Sequence, residues 1–516
     1  MTPLIILGTC AAYFALLMGI ARITGRRATL SDFALGGRRS PWYVVAFGMI
    51  GTSLSGVTFI SVPGWVESQG FAYMQMVLGY LVGYGVIIAV LLPLYYRLQL
   101  TSIYSFLGDR IGPRAYKTGS AFFLLSRTMG AAFRLFLVAL VFHEVVLAPW
   151  GTTEGLWGEL RFAALVLLTL AMIWLYTRRG GIATLVWTDA LQTFFMLGAA
   201  VLAVVMIGQS LDASILEIPQ LVADSDMSRW RFFDDFGDAR NGVKMFIAGA
   251  FVAIAMTGLD QDMMQKNLSC RSLGEAQLNM GSFAIVLVAV NLLFLSLGVL
   301  LYLYADAQGL SIERADLLFP TVALESGLGI ALGLSFILGL IAAAYSSADS
   351  ALTALTTSVC VDFLGMSSDE NLAEQKTRRT RVHLLVSLGV AAAILLFRAV
   401  NDQSVIQAIF TVASYTYGPL LGLFAWALYQ KDGQNAGRVG LADRVDRWAP
   451  AVAVAAPVAG FFLQWAAKER GFDFGFALLP VNGLLTLTGL WLASKGWGNR
   501  SESRSQSRSQ SRSESF

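Results

Sequence analysis

The residues best suited to chemistry lie in a polar stripe inside a long apolar segment, residues 341–357. Hydroxyls and one carboxylate recur there at steps of three and four residues, so on a helix they would share one face. An ionisable residue at membrane depth is costly and by default marks an ion or substrate pathway. Hydroxyls alone could equally bond to their own helix or join neighbouring helices, but Asp349 beside a serine pair favours a cation site. The stripe consists of Ser346, Asp349, Ser350, Thr353 and Thr357.

Three other charged residues lie within apolar segments. Asp189 is about two turns inside a predicted helix, where it could pair with a neighbouring helix or serve as a second cation ligand. Arg127 and Arg134 are spaced to share one face of a helix. Each could pair with an intramembrane acid such as Asp349, or bind a substrate carboxylate through the guanidinium fork.

Two apolar segments contain too many helix breakers to form continuous helices. Residues 47–64 combine glycines and hydroxyls with a terminal Pro63-Gly64, and residues 248–262 are interrupted in a similar way. Unwound backbone is tolerated in a membrane only where it is buried in protein or lines a cavity, and its free carbonyls can bind a cation. Close helix packing through small residues is the alternative. Broken helices at corresponding positions of two inverted halves point to the central site of a transporter.

The composition identifies a membrane protein and excludes several classes of function. Of the 516 residues, 56% are hydrophobic and 14% are charged, against about 25% charged residues in a typical soluble protein. The net charge of +3 shows no basic patch for nucleic acid, and three cysteines and two histidines suggest neither a disulfide framework nor a metal cluster. We find no nucleophile–base pair, phosphate loop or cofactor motif, so an enzyme is not expected.

Apolar runs of the length needed to cross a bilayer recur along the whole chain. They predict an all-α polytopic membrane protein with about 13 transmembrane helices: one N-terminal helix, two inverted five-helix repeats and two C-terminal helices. The predicted spans are 3–21, 41–62, 72–96, 118–146, 159–177, 183–207, 241–265, 276–304, 328–363, 380–398, 404–429, 449–467 and 474–494.

The domain organisation and orientation follow from the same pattern. Residues 1–495 should form a single transmembrane domain, with 41–207 and 241–429 as its two repeats, and the Ser/Arg-rich segment 496–516 should be a disordered cytoplasmic tail. Basic loop residues, with Lys266 counted among them, place the N-terminus outside and the C-terminus in the cytoplasm. The expected location is the inner (plasma) membrane.

The Gly180-Gly181…Trp187-Thr188-Asp189 stretch, the Ala343–Ser347 stretch and the broken helix at 47–64 resemble the sodium:solute symporter family. The resemblance covers roughly residues 3–495 and implies two inverted five-helix repeats that work by alternating access. It also implies a sodium site made of Gly51, Leu54, Ala343, Ser346 and Ser347.

The resemblance further implies a second cation site, used by some members, at Asp189, Ser346, Asp349 and Ser350. Asp349 departs from the family pattern, in which a serine or small residue is commoner. It could strengthen cation binding, take a proton or pair with an arginine.

The family's substrate cavity falls on residues of several helices. Apolar Ala253 and Met256 argue against a sugar bound through many hydroxyls, and the two arginines favour an organic acid or another anion. The implied substrate residues are Ser53, Ser55, Thr58, Tyr73, Gln75, Arg127, Arg134, Met256, Thr257 and Tyr415, with Val77, Ala253 and Thr411 nearby.

These expectations describe a sodium-coupled symporter that imports a small organic solute and contacts membrane lipid. Sodium is the only expected metal and the coupling ion, no cofactor is required, and a monomer should suffice. The main alternative is a proton-coupled symporter with Asp189 or Asp349 as the carrier. A membrane sensor and a channel are further alternatives.

Overall fold

The computed structural model describes most of the chain, and the predicted tail 496–516 lies outside the described residues. The described ranges are 3–24, 30–151, 154–312, 314–366, 372–400, 405–430 and 439–495. Within them the secondary structure is helical and contains no β-strand, as the composition predicted.

The first half of the chain supplies ten helices. They are α1 (Pro3–Thr24), α2 (Leu30–Leu35), α3 (Trp42–Ser53), α4 (Gly56–Gln69), α5 (Ala72–Arg97), α6 (Ser105–Arg110), α7 (Pro113–Glu144), α8 (Gly155–Gly180), α9 (Ile182–Ser210) and α10 (Ile218–Ala223).

The second half supplies nine more. They are α11 (Gly242–Gly258), α12 (Gln261–Leu268), α13 (Leu273–Gln308), α14 (Leu318–Glu325), α15 (Ile330–Phe363), α16 (Leu372–Val400), α17 (Val405–Tyr429), α18 (Val439–Lys468) and α19 (Leu478–Lys495).

Eleven helices of the described chain are long and apolar enough to cross a membrane, and the number rises to 13 if each of two bent pairs is one span. The predicted number is therefore obtained when α3 is joined with α4 and α11 with α12. The division into inverted repeats stays a prediction.

Both bent pairs have local causes in the sequence. The axes of α3 and α4 differ by 55°, and the side chain of Ser55 caps α4 by accepting a hydrogen bond from the amide of Val57. The axes of α11 and α12 differ by 66°, and Asp260 caps α12 by accepting from the amides of Asp262 and Met263. Each break leaves helix-terminal backbone groups in the interior, where they are available to ligands.

Helices α5 and α11 approach each other backbone to backbone. A Cβ added at Gly79 or Gly83 would collide with a carbonyl oxygen of α11, and one at Gly249 would collide with the carbonyl oxygen of Met76 on α5. Glycine is therefore required sterically on both sides of this contact.

Candidate functional site

The predicted first cation site lies where α3 ends beside α15. Gly51 packs against Ser346, since a Cβ added at Gly51 would lie 3.4 Å from Ser346 Oγ. The amide of Gly51 donates to Thr193 Oγ1 of α9 at 3.0 Å. The structure therefore brings the broken helix, α9 and α15 to one point.

The other members of this site are also buried. Leu54 and Ala343 are nearly inaccessible, and Ser347 is fully buried on α15. The hydroxyl of Ser347 has no hydrogen-bond partner among the described residues. An unpaired hydroxyl in a dry interior is unfavourable, and a bound cation would supply the partner that it lacks.

The carboxylate of Asp189 joins α9 to α3 and α15. Its Oδ1 accepts from Ser346 Oγ at 3.1 Å, and its Oδ2 lies 3.4 Å from Thr52 Oγ1. When the side-chain amide of Gln192 is oriented with its nitrogen towards the nearby acceptors, it donates to Asp189 Oδ1 at 3.0 Å. Sequence reasoning passed over Thr52, although its position in the broken helix beside Gly51 was a signal.

Lys266 is the main residue that sequence reasoning misplaced. It was counted as a cytoplasmic loop residue, but it lies in α12 with 1% of its surface exposed. Its Nζ is 2.7 Å from Asp189 Oδ2 and donates to Ser350 Oγ at 2.7 Å and to Thr52 Oγ1. Asp189 is thus the partner of a neighbouring helix's lysine, which is one of the two roles that its depth suggested.

Asp349 belongs to a different set of contacts. Its Oδ2 accepts from the hydroxyl of Tyr176 on α8 at 2.6 Å, and its Oδ1 accepts from the amide of Ser350 at 2.6 Å. The pairing of Asp349 with an arginine, which the sequence allowed, does not form with Arg127, because Arg127 pairs with Asp260 and Asp262 instead. Thr357 of the polar stripe bonds to its own helix through the carbonyl of Thr353, at 2.9 Å.

A central cavity of about 100 Å³ lies between the two broken helices and α7. This volume has room for several water molecules, each of which needs about 10–15 Å³, so it suits a small solute. Eight of the ten predicted substrate residues line the cavity: Ser53, Ser55, Thr58, Tyr73, Arg127, Arg134, Met256 and Thr257. Ala253 also lines it, and sequence reasoning missed Tyr80, Tyr84 and Asn291.

The other two predicted substrate residues lie elsewhere. Gln75 is buried and donates to the carbonyl of Arg240 at 3.1 Å, so it holds the loop before α11. Tyr415 and Thr411 line a separate cavity between α17 and α18. The sequence does not show which face of α17 meets the central cavity, and the predicted placement of Tyr415 and Thr411 in that cavity is wrong for this reason.

The two arginines of α7 have different surroundings. Arg127 is 5% exposed and forms ion pairs with Asp260 and Asp262 at the break before α12. Arg134 forms no ion pair within the described ranges, and its Nε is buried without a hydrogen-bond partner. Arg127 is therefore neutralised by protein carboxylates, whereas Arg134 lines the cavity without an ion pair to any described residue.

Comparison with known proteins identifies relatives along most of the chain. The family model described as the sodium:solute symporter family matches residues 33–439. A sodium/sialic acid symporter of Proteus mirabilis is 26% identical over 439 residues, which cover 82% of this chain and 83% of that protein. The human sodium/iodide cotransporter is 27% identical over 438 residues, which cover 80% of this chain and 63% of that protein.

The fold also has a counterpart among solved structures. A sodium-coupled sialic acid symporter in a substrate-bound, outward-open state matches with a TM-score of 0.77 at 20% identity, over 95% of this chain and 98% of that one. The predicted fold class, an all-α polytopic membrane protein, is therefore confirmed.

Proposed function

Because this chain belongs to the sodium:solute symporter family, it is a sodium-coupled secondary transporter, and we propose that its solute is a small organic anion bound by Arg134. The observation that carries this proposal is the buried, unpaired Nε of Arg134 beside a cavity in which Arg127 is already neutralised. A carboxylate would provide a paired counter-charge and the hydrogen bond that this Nε lacks.

The broken helix adds to the attraction for an anion. Helix α4 begins at Gly56, next to the cavity-lining residues Ser55 and Val57. The amino end of a helix carries partial positive charge and exposed N–H groups, both of which favour a negative ligand. Two relatives are named for transport of anions, sialic acid and iodide, and this agrees with the proposal without identifying the solute.

The proposed coupling site is Gly51, Leu54, Ala343, Ser346 and Ser347. Sodium bound there would join α3 to α15 just before the break that opens into the cavity. Binding of the ion would order the broken helix for the solute, so each ligand should raise the affinity for the other. Family membership favours sodium over a proton as the coupling ion.

The arrangement in the membrane is part of the proposal. The chain is a multi-pass membrane protein, and we place it in the inner (plasma) membrane as a monomer surrounded by lipid. The N-terminus should be outside and the C-terminus cytoplasmic. Residues 41–207 and 241–429 should form the two inverted repeats that exchange outward-open and inward-open states.

The experiment is a thermal-shift screen of the purified protein with small carboxylates, sugars and amino acids, with and without sodium. Stabilising compounds are then tested for uptake into proteoliposomes under a sodium gradient. We expect carboxylates to stabilise the protein only with sodium, and Arg134→Gln to weaken their binding about 30-fold, since a charge-assisted bond of about 2 kcal/mol is lost.

The control is Arg398→Gln, which removes an arginine outside the cavity that pairs with Glu159. It should leave carboxylate binding unchanged. Stabilisation by sugars alone, or normal carboxylate uptake by Arg134→Gln, would refute the assignment of an anionic solute.

A further inference from the structure

The second predicted cation position is occupied by a cation that belongs to the protein. Asp189 and Ser350, two of its four predicted ligands, both contact the ammonium of Lys266 at 2.7 Å. A third, Ser346, reaches the opposite oxygen of the same carboxylate. The lysine side chain is 2% exposed and the aspartate side chain 1%.

We propose that Lys266 acts as a tethered cation at this position, so that the transporter binds a single sodium ion, at the site of Ser346 and Ser347. A lysine ammonium and a sodium ion carry the same charge and require the same oxygen ligands. They compete for Asp189, and the lysine has the advantage that it cannot diffuse away.

The charges around Asp189 also disfavour a second sodium ion at this position. Asp189 and Lys266 form a neutral pair, so the carboxylate of Asp189 offers no uncompensated charge to a second sodium ion. Asp349 is the other acid in this region. Both of its oxygens already accept hydrogen bonds, from Tyr176 and from the amide of Ser350.

The first cation site, in contrast, keeps an unpaired hydroxyl. The hydroxyl of Ser347 is buried and has no hydrogen-bond partner, Lys266 included, in the described part of the chain. A ligand therefore remains available for sodium at the first site, whereas Asp189 and Ser350 of the second position are engaged by the lysine.

The lysine also has a positioning role. It links α12, which follows the second break, to Thr52 at the first break, to Asp189 on α9 and to Ser350 on α15. A purely structural ion pair would fix these four helices without any effect on the number of ions bound. The number of sodium ions therefore distinguishes the proposal from that simpler role.

The experiment counts sodium ions on the purified full-length protein by equilibrium dialysis with radioactive sodium, without any organic solute. We expect one ion for the unaltered protein and for Lys266→Arg, which keeps the charge. Lys266→Met should bind two ions, because Asp189 and Ser350 are released. The double variant Lys266→Met, Asp189→Asn should return to one.

Two bound ions in the unaltered protein, or one in a folded Lys266→Met variant, would overturn the proposal. If Lys266→Met does not fold, the counts for the unaltered protein and Lys266→Arg still decide, since two ions in either refutes the exclusion. The inference depends on sodium coupling but not on an anionic solute, so failure of the solute assignment leaves these counts unchanged.

Discussion

The substitution Ser347→Ala tests whether the hydroxyl of Ser347 binds sodium or is only a buried polar group. The Ser347 side chain is fully buried and its hydroxyl has no hydrogen-bond partner among the described residues. In sodium-free buffer, removal of an unsatisfied buried hydroxyl should leave the melting temperature unchanged or raise it. The loss of a contact with a cation, by contrast, should cost about 1.5–3 kcal/mol, or about 10- to 150-fold in sodium affinity.

Thr353→Val is the matched control. Thr353 is on the same helix, is equally buried and also has an unpaired hydroxyl, but it lies outside the first cation site. The assay is the melting temperature of each variant as a function of sodium concentration, followed by the sodium dependence of uptake. Unchanged sodium dependence in Ser347→Ala, or an equal loss in Thr353→Val, would refute the assignment of this hydroxyl.

Two further predictions concern charged pairs. Arg127→Met should destabilise the protein by about 3–5 kcal/mol, because Asp260 and Asp262 lose their buried partner; an unchanged melting temperature would contradict this role. In the loop before α11, hydrogen bonds from Arg240 hold the pKa of Asp238 below its usual range. A depressed pKa stabilises the fold above the ordinary value and loses that effect as the pH falls below about 4. Asp238→Asn should therefore destabilise the fold slightly at pH 7, by less than about 1 kcal/mol at this partly exposed position, and less at pH 3; an equal effect at both pH values would contradict the pKa assignment.

The sequence predicted the helices and the clustering of the polar stripe because both depend on local pattern. Apolar runs and helix breakers indicated the two broken spans, and the three- and four-residue steps placed Ser346 and Ser350 on one face, which meets Asp189 and Lys266. The positions of breaks are encoded locally, whereas the depth of a residue beyond a break is not.

Lys266 illustrates this limit. It is the first residue after the predicted span 241–265, and a hydropathy profile therefore places it in a loop. The bend of 66° before α12 returns that short helix to the interior, where the lysine meets Asp189. Tyr176 was missed for a related reason, since its bond to Asp349 depends on how α8 faces α15.

The contact between α5 and α11 restricts how this molecule can change shape. At Gly79, Gly83 and Gly249, a glycine of one helix faces a backbone carbonyl oxygen of the other, and no side chain separates the two backbones there. We therefore expect the two helices to move together as one rigid body during transport. A covalent crosslink between them should not arrest the transport cycle, whereas a methyl group inserted at Gly249 would force them apart.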